Sequence, residues 1–227
     1  MLIPSIDLMG GKIVQLVQGR RKALEFPNFD EWIARFSAYP LVQLIDLDAA
    51  MGAGSNHALV AEFARQLPCQ VGGGIRSREA AEAGLAAGAR RVIIGSALVC
   101  DGAPNVTFAE ELAAAVGFEN LVFAVDSTRG KVAVRGWREM TPLTPQEMIA
   151  ALEPWCAAFL YTHIDTEGLL EGIPMDVVRT LRLSTKRELI VAGGVSSEQQ
   201  VADLHAMQVD CVVGMAIYTG KISLAVR

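Results

Sequence analysis

The chain repeats itself at an offset of about half its length. Asp7 is followed by Gly11-Lys12 and the strand-like run IVQLVQG. Asp126 is followed at the same spacing by Gly130-Lys131 and VAVRGW, and the two aspartates lie 119 positions apart. VGGGIRS at 71–77 is echoed by AGGVSS at 192–197, with Gly74 and Gly194 120 positions apart. RVIIGSAL at 91–98 is echoed by CVVGMAI at 211–217, with Gly95 and Gly214 119 positions apart. Three echoes at one offset divide the chain into halves of approximately 1–119 and 120–227. Four strand–helix units and their copy can close a sheet into a barrel, which places equivalent positions of the halves across the mouth from each other.

The pattern between the echoes agrees with that architecture. Eight short apolar runs, Leu2–Ile6, Leu41–Ile45, Cys69–Val71, Arg91–Ile94, Leu121–Val125, Ala157–Tyr161, Glu188–Val191 and Asp210–Val213, read as strands covered on both faces. HALVAEFARQL, SREAAEAGLAAG, TFAEELAAAV and SSEQQVADLHAM between them have helical spacing, several with Ser, Thr or Asn at the start, and Gly88 and Gly117 stand where helices stop. The expected fold is α/β, a single (βα)8 TIM barrel spanning 1–227. An open doubly wound sheet is the alternative, but its GxGxxG fingerprint is absent after the first strand.

Composition narrows the function classes. With 52% hydrophobic and 20% charged residues, the chain can build a large core. A net charge of −5 argues against a nucleic-acid surface. Cys69, Cys100, Cys156 and Cys211 form no CxxC pair, and are read as buried small hydrophobes in a reducing compartment. His57, His163 and His205 are scattered, without metal-ligand spacing. MLIPSIDLMGGK turns polar too soon for a signal peptide, and no apolar run is long enough for a membrane span. A soluble cytoplasmic protein is expected, with no membrane partner.

Asp7 and Asp126 each end an apolar strand, and in a βα barrel those ends line the active-site face. A lone aspartate there reads as a turn cap. Two, related by the repeat, suit paired acid and base roles. Gly73, Gly74, Gly193 and Gly194 follow strands three and seven; Gly95-Ser96 and Gly214-Met215 follow strands four and eight. Backbone N–H groups in such turns can cradle phosphate. Two cups on opposite rims imply a long ligand with a phosphate at each end. Thr162 and Asp46 end strands six and two and should point near the mouth, whereas His163 alternates with Thr162 and should point away. Arg76 is read either as a phosphate contact or as a solvated helix start. Trp137 either stacks on a planar heterocycle or packs in a loop. Gly19 in the first loop and Gly168 after strand six complete the candidate binding set.

LIPSIDLMGGKIVQLVQG, LIDLDAAMGAGSN, QVGGGIRS, AVDSTRGKVAVRGW, YTHIDTEG and VAGGVSS resemble, in order and spacing, the motifs of the phosphoribosylformimino-5-aminoimidazole carboxamide ribotide isomerase family of histidine biosynthesis. The resemblance runs from Met1 to about Lys221. It implies a monomeric βα barrel acting on a bisphosphorylated small molecule by an Amadori rearrangement, with no metal or organic cofactor. It implies Asp126 as the general acid on the ring oxygen, Asp7 as the base at C2, Thr162 as an assistant near Asp126, and Trp137 stacking near the imidazole carboxamide. Gly73, Gly74 and Gly95 would hold one phosphate, and Gly193, Gly194 and Gly214 the other. The chain departs from the family at Gln15 (often Arg), Arg20 (Asp in many members), Glu167 (usually Asp) and Leu169 (commonly Thr). LDAAMGAGSNH is similar to a bifunctional branch that also isomerises phosphoribosylanthranilate; Gln15 argues against that second activity. Two other readings stand beside these. One is the sister cyclase, which shares fold and aspartates. The other is a barrel that binds phosphorylated metabolites without turning them over.

Overall fold

The computed structural model describes residues 1–223. Eight parallel strands close into a barrel: β1 (Leu2–Met9), β2 (Val42–Asp46), β3 (Cys69–Gly72), β4 (Arg91–Ile94), β5 (Leu121–Thr128), β6 (Ala158–His163), β7 (Glu188–Ala192) and β8 (Asp210–Val213). Closure comes from β4 on β5, with Val92 opposite Leu121 and Ile94 opposite Phe123, and from β8 on β1, with Cys211 opposite Leu2. These pairings exclude the open sheet. Pairing registers recur between the halves: Ser5 faces Gln43 as Ala124 faces Leu160, and Gln70 faces Arg91 as Ile190 faces Asp210.

All eight strands lie where the apolar runs put them. β1 and β5 extend beyond their expected ends because the chain folds back on each. Lys12–Val17 pairs antiparallel with β1, placing Val14 opposite Asp7, and Lys131–Val134 pairs with the end of β5. Each strand thereby gains backbone partners past the barrel rim. Helices begin at side-chain caps where the sequence offers one. Ser77, Asn105 and Ser197 each accept from the amide three residues on, and Thr144 with Glu147 forms a capping box. Asn56 does not cap its helix; its side chain is engaged by Asp46 and Asp48.

Period-two alternation sorts the strands into two cores. Ile3, Ile93, Val122, Ala158, Leu160, Ile190 and Val212 fill the barrel interior, while Ile6, Leu8, Leu44, Phe123, Phe159 and Leu189 face the helices. Cys69, Cys156 and Cys211 are buried, and burial pushes each thiol up to about 12. Cys100 corrects the expectation for the four cysteines. It is exposed, because it lies at a tight turn between Val99–Cys100 and Ala103–Pro104 outside the barrel.

One polar chain enters the interior from the end opposite the mouth. Gln70 donates to Gln43, Arg91 donates to Gln70, and Arg91 grips Glu188 with both terminal nitrogens, at 2.8 and 2.9 Å. The Arg91 side chain is only 12% exposed, so its charge depends on that carboxylate. Glu188→Ala is expected to cost about 2 kcal/mol, mostly from leaving the guanidinium unpaired. Urea denaturation should show a lower midpoint with an unchanged slope.

Candidate active site

The inward rows of β1 and β5 read Ile3–Ser5–Asp7 and Val122–Ala124–Asp126 from the floor upward. Ile3 and Val122 belong to the interior core. Ser5, Asp7, Ala124 and Asp126 line a cavity of about 240 Å³ at the strands' C-terminal ends. Thr162 on β6 faces the same space. The two aspartates therefore open into one compartment, as the repeat requires. Each is enclosed by protein yet faces the cavity, so loss of solvation raises both carboxyls. Asp7 rises to about 6, with the Ser5 hydroxyl pulling it back; Asp126 also rises, with Trp137 and Thr162 pulling it back. The Trp137 indole N–H donates to Asp126 Oδ2 at 2.8 Å. Trp137 thus reaches the site through its ring nitrogen.

A third carboxyl shares the cavity. Glu167, in the turn after β6, lines the wall with Asp7 and Asp126. Loss of solvation, then repulsion from Asp7 and from Asp126, pushes it up to about 8. At neutral pH it holds a proton that a free glutamate would have released. In the sequence Glu167 reads only as a departure from a family motif. Its place beside the candidate Gly168 was the available signal. Ser5 was missed too, although a residue two before Asp7 on a strand must share its face.

The glycine turns repeat one contact in both halves. A Cβ on Gly73 would sit 2.1 Å from the Asp46 carbonyl oxygen, and one on Gly193 would sit 2.4 Å from that of His163. Asp46 and His163 occupy matching ends of β2 and β6, so each glycine lets its turn close against the preceding strand. Gly73, Gly74, Gly95 and Ser96 line one rim, and Gly193, Gly194, Gly214 and Met215 the other. The Ser96 hydroxyl accepts from the Arg135 amide at 2.7 Å, tying the loop after β5 to the first rim. Arg76 is the one cation on the cavity wall among the described residues, and it also donates to the Ala50 carbonyl at 2.6 Å.

The first loop closes over this arrangement. A Cβ on Gly19 would lie 2.6 Å from the Trp137 ring, and the Gln18 amide donates to the Glu167 carbonyl at 3.1 Å. Gly168 packs against the Leu16 carbonyl from the other side. Gln15 is buried in the wall, with its amide donating to the Val14 carbonyl and its Oε1 against Gly214.

Asp46 is not brought to the cavity. It lies on the outer face of β2, one residue past the inward Ile45. Its carboxylate accepts from the Ala49 amide and from both the backbone and side chain of Asn56. It serves the turn after β2, the role open to any aspartate at a strand end. His163 also stays outside the cavity, with Nδ1 2.8 Å from the Thr166 hydroxyl.

The chain is similar to known proteins over almost its whole length. A protein of Methanocaldococcus jannaschii named 1-(5-phosphoribosyl)-5-((5-phosphoribosylamino)methylideneamino) imidazole-4-carboxamide isomerase is 35% identical over 230 residues, covering 98% of this chain and 95% of its own length. A Thermus thermophilus protein of the same name is 37% identical over 231 residues, covering 98% and 96%. One from Methanothermococcus thermolithotrophicus is 36% identical over 234 residues, again covering 98% and 96%. Residues 1–223 match the family described as histidine biosynthesis protein, and the chain belongs to that family.

Proposed function

We propose that this chain catalyses the isomerisation for which its relatives are named, an Amadori rearrangement of a ribosylamine carrying two phosphoribosyl groups. The observation that carries the reading is the cavity itself: three carboxyls of unlike proton affinity between two matched glycine turns. The relatives' name specifies two 5-phosphoribosyl groups, and two glycine rims fit an anion cradle for each. The Methanocaldococcus, Methanothermococcus and Thermus relatives carry the isomerase name and not that of the sister cyclase.

The reaction needs a proton given and a proton taken. Protonation of the ring oxygen opens the ribosylamine and leaves C1 double-bonded to nitrogen. Removal of the C2 proton then yields an enolamine, which tautomerises to the aminoketose. No atom is gained or lost overall. Asp7, poised near about 6, is the base at C2. On the opposite wall Asp126 is held by Trp137 and Thr162, which favour its ionised form. Glu167 shares the cavity with both aspartates, is repelled by Asp7 more than by Asp126, and carries a proton at neutral pH. The acid function is therefore shared between Asp126 and Glu167, with Glu167 as the stored proton and Asp126 as the group across from Asp7 that orients substrate and indole. Gly73, Gly74, Gly95, Ser96 and Arg76 hold one phosphate; Gly193, Gly194, Gly214 and Met215 hold the other. Gly19 and Gly168 let the first loop close against Trp137 and the turn after β6.

Asp7→Asn and Asp126→Asn should each lower kcat/KM by at least ~100-fold, measured by steady-state turnover of the ribosylamine. A wild type no faster than either variant would leave only a binding barrel. The pH profile of kcat/KM should be bell-shaped. It rises as Asp7 loses its proton near pH about 6 and falls as Glu167 loses its own near about 8. Glu167→Gln should remove the alkaline limb and lower the plateau by roughly 100-fold. A profile that keeps its alkaline limb in this variant assigns the proton to another group.

A further inference from the structure

The two halves supply their aspartates with hydroxyl donors from different places. On β1 the Ser5 hydroxyl donates to Asp7 Oδ1 at 3.0 Å. The matching position on β5 is Ala124, which has no donor. On β6 Thr162 stands against Asp126 in register, and the matching position on β2 is Ile45. Each carboxyl thus has a hydroxyl that its twin lacks.

Ser5 is itself held firmly. It is 5% exposed, and strand pairing with Gln43 fixes its backbone. Its carbonyl also accepts from the Tyr218 hydroxyl at 3.0 Å. Tyr218, in the helix Met215–Tyr218, packs on Trp32 with ring centroids 4.2 Å apart and stacks on Phe26 at 5.2 Å. The aromatic block that closes the barrel's outer face therefore anchors the strand segment bearing Asp7. Among the described residues Ser5 is the side-chain hydrogen-bond donor to Asp7, and it engages Oδ1 alone.

We propose that Ser5 is a positioning residue for Asp7, turning the carboxylate so that Oδ2 meets the substrate carbon while the ionised form stays available. This rests on the reading of Asp7 as the base. Among the described residues the ionisable groups whose charge couples to Asp7 are Glu167 from the turn after β6 and Tyr218 from the last helix; Asp126 lines the same cavity, and Arg76, the cation on its wall, stands on the rim after β3. The Ser5 hydroxyl is thus the contact that opposes the rise in Asp7's proton affinity.

The test compares wild type, Ser5→Ala and Ser5→Thr by the pH profile of kcat/KM and by carbon-13 carboxyl titration of Asp7 in the NMR spectrum. Ser5→Ala should move the acidic limb and the Asp7 titration upward by about one pH unit, the scale of a lost hydrogen bond to an ionised group. It should also lower kcat roughly 10-fold above the limb, where protonation no longer matters, with KM little changed. Ser5→Thr, which keeps the hydroxyl, should restore both. A wild type that turns over, with Ser5→Ala sharing its limb and kcat, overturns the role of Ser5 and leaves the proposed reaction standing. A wild type that does not turn over defeats the proposed reaction. In that case an unmoved Asp7 titration in Ser5→Ala would overturn the contact independently.

Discussion

Closure of the sheet is the constraint from which the rest follows. Once β4 pairs with β5 and β8 with β1, every second side chain of each strand must enter a narrow interior. Near the floor these include Ile3, Val122, Ala158 and Ile190, packed beside the hydrogen-bonded chain of Gln43, Gln70 and Arg91. One step from the mouth they are Asp7, Asp126 and Thr162, with Glu167 folding in from the turn above β6. The carboxyls share one enclosure because of this geometry. Enclosure raises their proton affinities, and mutual repulsion raises that of Glu167 most. Acid–base capacity at neutral pH is thus a consequence of barrel closure and not of any one residue.

The duplicated halves are alike at the two glycine rims and unlike around the aspartates. Gly73 and Gly193 meet the same carbonyl contact in each half, so both rims offer turns of one shape. Around the aspartates the symmetry is broken. Ser5 has Ala124 as its counterpart, Thr162 has Ile45, and Trp137 reaches Asp126 alone. Unlike surroundings give the carboxyls of one cavity unlike proton affinities, the condition for dividing acid and base roles among them.

Much of the architecture was legible because strands and repeats are local patterns. The runs at Arg91–Ile94 and Asp210–Val213 became strands with those same bounds. The ends of β1 and β5 were not legible, since Met9 and Thr128 depend on antiparallel partners that fold back later in the chain. Asp46 looked equivalent to Asp7 in sequence, as an acidic residue closing an apolar run. One step of strand phase turned it outward, where Asn56 consumes its carboxylate.

The amino-acid sequence by itself determined that the chain is doubled, that eight apolar strands alternate with helices, and that Asp7 and Asp126 occupy matching strand ends. These follow from composition and spacing along the chain, which need no knowledge of what lies across the barrel. Only the tertiary structure decided which carboxyls share a cavity, that Glu167 is the third, and that Ser5, Trp137 and Thr162 divide the hydrogen bonds among them. Proton affinity depends on enclosure and on charges a few ångströms away, and folding brings those together from positions more than a hundred residues apart.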